Sequence, residues 1–350
     1  MKAMVLRKPD PIEEGPLRLE AVPDPVPGVG EVRVRVAACG VCHTDLHTVE
    51  GDLPAALPIV PGHQVVGVVD EVGPAGTPAS PRGEPGDRYA VRPGVRVGIP
   101  WLFRACGRCA YCLSGDENLC ERAEFTGLHR NGGYAEYVVA PAEFVVPLPD
   151  TFGDLEAAPL LCAGIIGYRS LKVCGLRPGE RLAIFGFGSS AHIVIQVARH
   201  WGCDVLVFSR SERHRLMAER LGASWTGIAG EDPPFAADRA ITFAPVGYLI
   251  PEALRILRRG GTLAVNAVRL DGVPAFTYER LYWEKTIRSV ANATRRDAVE
   301  FMEVAADIPV KTEVRQYRLE DANLALLELK RGAVEGAAVL GVAAAPGIAG

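Results

Sequence analysis

Arg181-Leu-Ala-Ile-Phe185 runs directly into Gly186-Phe187-Gly188-Ser189-Ser190-Ala191, and a helical pattern follows as far as Trp201. A short apolar strand, a glycine turn and a helix, in that order, form the phosphate-binding unit of a dinucleotide fold, G-x-G-x-x-G/A. Gly186 permits the tight turn, Gly188 lets backbone approach a pyrophosphate, and Ala191 keeps helix and strand close. The helix is expected from Ser190, just after Ser189, and its first N–H groups face the anion. A plain glycine turn could carry the same letters, so the surroundings must decide.

They favour the nucleotide site. Asp204–Phe208 reads as a strand and Glu212–Leu221 as a helix, and segments 240–243, 247–257 and 262–268 continue the alternation. This pattern predicts an α/β unit, a doubly wound parallel sheet with crossover helices. The tip of the second strand selects the cofactor. An NAD site wants an acidic residue there, but the chain has Phe208-Ser209-Arg210-Ser211-Glu212-Arg213. Ser209 can hydrogen-bond a 2′-phosphate, and Arg210 or Arg213 can pair with it. The chemistry therefore leans to NADP, although Ser209 also tolerates NAD and Arg210 can stack on adenine in either case.

Upstream of about residue 150 the pattern is mostly β. Val32, Val34 and Val36 alternate with Glu31, Arg33 and Arg35, the period of a half-buried strand. Further strands are expected at 65–72, 95–99, 133–140 and 143–146, late helices at 299–306 and 321–330, and a closing strand at 337–342. The Pro- and Gly-rich stretch 73–94, with Pro-Gly-Asp-Arg at 85–88, reads as an exposed loop insertion.

A chain of 350 residues is too long for one ordinary core, so two domains are expected. The formal net charge of -4 argues against an electrostatic nucleic-acid or anionic-membrane binder. No apolar run near Met1 suits a signal peptide, and no long uninterrupted apolar stretch suggests a membrane span. A cytoplasmic protein is expected. The nine cysteines are odd in number and clustered, which points to metal binding rather than disulfides. Cys106-x2-Cys109-x2-Cys112-x7-Cys120 can wrap one tetrahedral zinc in a closed structural lobe at about 104–122. An iron–sulfur cluster is the rival reading. Arg104, Arg108 and Arg122 there are balanced by Asp116, Glu117, Glu121 and Glu124, so the lobe lacks the basic face of a nucleic-acid module. Cys39, Cys174 and Cys203 read as core thiols, and His129, His200 and His214 as surface or capping residues.

Gly40-Val-Cys42-His43-Thr44-Asp45-Leu-His47 crowds a thiol, two imidazoles, a hydroxyl and a carboxylate together. It suits a catalytic zinc site with a proton relay that takes two more ligands from elsewhere. A polar turn is the plain alternative.

Together, Cys-His-Thr-Asp-Leu-His at 42–47, Gly-His at 62–63, the four-cysteine lobe, Leu-Cys-Ala-Gly at 161–164 and the glycine turn resemble, in order, the zinc-dependent alcohol dehydrogenases of the medium-chain dehydrogenase/reductase superfamily. The similarity is greatest to bacterial primary-alcohol enzymes and to the cinnamyl-alcohol-type branch. The resemblance implies that Cys42, His63 and Cys162 hold the catalytic zinc, that Thr44 and His47 form the relay, that Asp45 orients His63, and that His43 lies near the cofactor pyrophosphate. It implies a GroES-like, partly open β-barrel catalytic domain (1–162 and 293–350) around a Rossmann domain (163–292), with the zinc site in the cleft. Two zinc ions per subunit, NAD(P), a small alcohol or aldehyde substrate and a homotetramer or homodimer follow. The implied reaction is reversible oxidation of primary alcohols. Aromatic, furanic or cinnamyl aldehyde reduction with NADPH and secondary-alcohol or polyol oxidation are the alternatives. Trp101 and Leu102 are pocket candidates, with Leu53, Leu57 and Phe125 weaker ones, and His192 is a possible cofactor contact. Three departures stand out: Gln64 in place of the family's Glu, Ala337 after Gly336 where many relatives carry Arg, and the insertion at 73–94.

Overall fold

The strand Glu31–Val41 explains how the first unit is assembled. Its valines point inward, and Val32 and Val34 are fully buried. One of its sides pairs with Gln64–Val72, interrupted by register shifts at Arg33/Val34 and Val36/Ala38. Its other side is shared: residues 31–35 pair with Tyr137–Pro141, and residues 38–41 pair with Ala337–Gly341. Arg96–Ile99 and Val146–Pro147 extend the sheet beyond Gln64–Val72, and Val314–Arg318 extends it in parallel beyond Ala337–Gly341. Such irregularities bend a sheet; this one has seven strands and carries the apolar core of the first unit.

This is a computed structural model that describes residues 1–74, 91–308 and 310–342. Most of the expected insertion at 73–94, including the turn at 85–88, lies outside the described residues. Two compact units emerge: Met1–Cys162 with Asn292–Ala306 and Thr312–Gly350, and Ala163–Ala291 with Asp307–Lys311. The short return of 307–311 to the second unit has a local cause. Gln196 donates to the Lys311 carbonyl and accepts from its N–H, at 2.8 and 2.9 Å.

The second unit is a six-stranded parallel sheet in the order Trp225–Gly227, Asp204–Phe208, Arg181–Phe185, Ala237–Thr242, Leu257–Val265, Thr286–Ser289. Numbered along the chain this is 3-2-1-4-5-6, the Rossmann order, which reverses beside Arg181–Phe185. Buried apolar side chains pack one sheet face, among them Ala183, Phe185, Leu206, Leu254 and Leu263.

Local differences from the sequence expectations have simple origins. The strand expected at 262 begins at Leu257, which pairs with Ala237; the register then shifts across the exposed Arg258-Arg259-Gly260 before Thr262 pairs with Arg239. Segment 142–144 is a 3₁₀ turn, followed by the two-residue strand Val146–Pro147. The edge strand Thr286–Ser289 has a single large apolar residue, Ile287, and so shows no alternation. One helical stretch, Asp154–Cys174, is long and apolar enough to cross a membrane. However, 67% of that apolar window is buried inside the fold, and the stretch changes helix type at Ala158–Leu161, so it is accounted for as core.

Candidate active site and metal centres

Where the strand Glu31–Val41 ends, the chain turns at Cys42 into the helix His43–Val49. Asp45, in its first turn, reaches back to accept from the Cys42 N–H at 3.0 Å, which caps the helix. The same carboxylate accepts from Gly62 N at 3.1 Å and from His63 Nδ1 at 2.8 Å. With Nδ1 thus engaged, His63 presents Nε2 to Cys162 Sγ, 3.3 Å away. The ligand atoms of Cys42, His63 and Cys162 all lie within 4.8 Å of one another.

The charges around this triad suit a cation. Burial pulls the His63 pKa down, but Asp45 and the Cys42 sulfur outweigh it and set it at about 10. The Cys42 thiol is driven well below its ordinary value, first by its contact with Cys162 and against the cost of burial. Cys162 is pushed up by the Cys42 sulfur and by burial. Two thiolates and an imidazole leaving a fourth position open form a catalytic zinc donor set.

Thr44 is buried, with Oγ1 3.8 Å from Cys42 Sγ. His47 is half-buried and pairs through Nδ1 with Asp52 at 2.9 Å. His43 is exposed at the first position of the helix. Gln64 is buried, and its side chain lies over Gly40, where an added Cβ would come within 2.8 Å of it. Trp101 stacks on Phe125 at 4.5 Å, and its ring centre is 6.0 Å from that of His63. Leu102 is buried in the short strand pair Leu102–Arg104 with Glu124–Phe125.

The second cluster is Cys106, Cys109, Cys112 and Cys120, whose sulfurs also lie within 4.8 Å of one another as free cysteines. Separations of 3.5 Å (Cys109–Cys112) and 3.9 Å (Cys106–Cys112) suit one tetrahedral ion about 2.3 Å from each sulfur. Backbone donation at Arg108 brings Cys106 down to about 6, while burial takes Cys112 up to about 12. Cys39, Cys174 and Cys203 are buried free thiols.

In the second unit, Gly186 has φ +86°, and an added Cβ would meet Ala244 at 2.9 Å. Above Gly188 nothing lies within 4 Å of such an atom, so the backbone there is open to a phosphate. The helix Ser189–His200 starts at this point; Ser189 and Ser190 are half-buried and Ala191 is fully buried. Ser209 is buried at the strand tip and Arg210 is exposed. Arg215 holds their carbonyls at 2.7 and 3.2 Å. His192 is buried, and neither of its ring nitrogens has a hydrogen-bond partner.

Two residues escaped the sequence expectations. Asp52 lies one short turn beyond His47, a spacing that could have suggested the pair. Tyr134 donates its hydroxyl to Asp45 at 3.2 Å across a sequence separation of 89 residues, which no local pattern signals. Burial first, then the Asp45 charge, holds the Tyr134 phenol far above its ordinary pKa, so it remains a donor.

Known proteins resemble the chain over nearly its full length. Residues 28–150 match the alcohol dehydrogenase GroES-like domain family. A probable alcohol dehydrogenase of Mycobacterium tuberculosis is 46% identical over 343 residues, covering 97% of each protein. Among solved structures, an NAD-dependent alcohol dehydrogenase superposes with a TM-score of 0.86 at 28% identity, over 98% of this chain and 100% of that one. A cinnamyl alcohol dehydrogenase from Sorghum bicolor gives the same TM-score of 0.86 at 26% identity, over 97% of both chains.

Proposed function

The chain belongs to the alcohol dehydrogenase family of the medium-chain dehydrogenase/reductase superfamily, and from that membership we propose that it is a zinc- and NAD(P)-dependent enzyme interconverting primary alcohols and aldehydes. The observation that carries this proposal is the convergence of Cys42, His63 and Cys162, three donors with an open fourth position, in a chain that also carries an accessible glycine turn. When bound, zinc acts as a Lewis acid on the alcohol or aldehyde oxygen and the dinucleotide accepts or returns the hydride.

The protein's own residues prepare this chemistry. Asp45 holds the Nδ1 proton of His63, so that Nε2 keeps its lone pair for the metal. Thr44 Oγ1, buried beside Cys42, accepts the hydrogen bond of the substrate hydroxyl. His47, steadied by Asp52 and half open to solvent, exchanges the proton with water. Cys106, Cys109, Cys112 and Cys120 would hold a second zinc, and four thiolate donors would leave it a structural role. Gly186, Gly188, Ser189, Ser190 and Ala191 receive the pyrophosphate, with His43 a further contact. Ser209 and Arg210 favour the 2′-phosphate of NADP, since no carboxylate stands at that strand tip.

The aromatic wall formed by Trp101 and Phe125, together with the likeness to a cinnamyl alcohol dehydrogenase, favours reduction of aromatic aldehydes as a second reading. A homo-oligomer, dimer or tetramer, is supported by the edge strand Thr286–Ser289. All its residues are exposed, its outer side has no partner among the described residues, and Tyr278, Tyr282 and Trp283 stand exposed just before it.

Assays of short aliphatic, benzylic and cinnamyl alcohols with each cofactor test the proposal. Turnover is expected with a higher kcat/KM for NADP⁺, and Cys42→Ala should lose turnover while still binding dinucleotide. Activity surviving in that variant would reject the metal site. Equal or better use of NAD⁺ would reject only the cofactor preference.

A further inference from the structure

Asp45 is saturated by four donors, two on each oxygen. Oδ1 takes His63 Nδ1 and Gly62 N, at 2.8 and 3.1 Å, and Oδ2 takes Cys42 N and the Tyr134 hydroxyl, at 3.0 and 3.2 Å. Two of the donors are backbone groups, fixed by the chain path. The two side-chain donors, His63 and Tyr134, sit on opposite oxygens, and Asp45 and Tyr134 are both buried (2% and 0% exposed). Nothing in the proton path described above uses Tyr134.

The chain places this tyrosine by a separate device. Gly132 N, Gly133 N and Tyr134 N donate to the carbonyls of Val60, Gly62 and Pro61, at 2.7, 2.9 and 3.0 Å. These bonds lay the segment alongside the loop that ends in His63. The Tyr134 ring then covers Gly62: a Cβ built on that glycine would lie 2.4 Å from the ring, and its φ of +97° already disfavours any side chain. One side chain thus presses on the residue before His63 through its ring and holds the carboxylate behind His63 through its hydroxyl.

We propose that Tyr134 is a positioning residue for the metal ligand His63, acting through Asp45. The hydroxyl fixes the plane of the carboxylate, and so fixes the direction in which Asp45 receives the His63 proton and aims Nε2. In a buried, water-poor site a carboxylate short of one donor turns toward whatever donors remain. Its alignment with His63 is then lost, and so is part of the hold on the metal. The proposal rests on Cys42, His63 and Cys162 binding a metal, as put forward above.

The test is metal release, followed with a chromogenic chelator on the zinc-loaded protein. Tyr134→Phe keeps the ring over Gly62 and removes only the hydroxyl. Release from the Cys42–His63–Cys162 site should become about 10-fold faster, the lower end of effects seen when a partner of a metal ligand is lost. Release from the four-cysteine lobe should keep its rate, and the melting temperature should fall only by what one lost hydrogen bond to a buried carboxylate costs. The visible spectrum of the cobalt-substituted protein should shift in the same variant. Tyr134→Leu, which also uncovers Gly62, should add a loss of thermal stability. Unchanged release and spectrum in Tyr134→Phe would overturn the proposal alone, and so would equal acceleration at both sites, the sign of general loosening. If the unmutated protein loads no metal at this triad, the functional proposal fails together with it.

Discussion

His192 sits one turn into the helix that begins at Ser189, buried to 1% exposure, with neither ring nitrogen hydrogen-bonded. Burial lowers its pKa to about 4, because the charged imidazole would lose its hydration. The sign of the consequence follows from linkage. The unfolded chain takes up a proton below about pH 6.5, whereas the folded chain does so only below about 4. Stability from this group is therefore complete above about 6.5 and declines as the pH falls toward 4. The loss between pH 7 and 5 is about 2 kcal/mol. Denaturant titrations of His192→Leu should show this increment of acid sensitivity removed and no loss of stability at pH 7. Equal acid sensitivity of the two proteins would contradict the assignment. Gln64 shows a different side of single-residue control. A neutral amide over Gly40 leaves no carboxylate at that position, and the residue across the strand pair from Gly40 is the apolar Val339.

The four-cysteine lobe shows how an element with little core is held. Its helix Ala110–Leu113 buries no side chain. What it buries instead is polar: Glu117 and Asn118 in the 3₁₀ turn Glu117–Leu119. Glu117 receives Arg295 through its backbone N–H and guanidinium, at 2.7 to 3.1 Å. Arg295 also reaches Glu143 at 3.1 Å and lies over the Phe144 ring at 4.4 Å. A pair this well satisfied ties the lobe to the start of the helix Arg295–Asp307. Arg295→Ala leaves the buried Glu117 carboxylate with fewer donors. A loss of about 1–2 kcal/mol is expected, less than for a fully buried pair because Arg295 is 30% exposed. Thermal melting should register it, and zinc loaded into the four-cysteine lobe should leave faster while zinc loaded at Cys42 keeps its own rate.

At the scale of the whole molecule, both ends of the chain build one unit and its middle builds the other. The parallel sheet of the middle unit ends in Thr286–Ser289, with the Arg259 guanidinium 3.5 Å from the centre of the Trp283 ring beside it. A second copy is the occupant proposed for this edge. Ile287→Glu would place a charge in the middle of that strand. Sedimentation velocity should then report a smaller species than the unmutated protein, with the far-ultraviolet circular dichroism retained. An unchanged sedimentation coefficient would place the interface elsewhere.

The sequence by itself determined whatever depends on short-range periodicity and spacing. The glycine turn after Phe185, the valine alternation from Val32 to Val36 and the four cysteines from 106 to 120 are each complete within a few residues, so local backbone geometry dictates their reading. Separations along the chain that far exceed one turn or one strand carry no such signal. Among these are the edge strand Thr286–Ser289, paired through backbone with residues 262–265, and the bonds of Asp45 to Gly62 and Tyr134. The last pair shows the reason most clearly. Only folding brings the ring over Gly62 and its hydroxyl to Asp45, because a buried carboxylate draws donors from any part of the chain that the strands deliver to it.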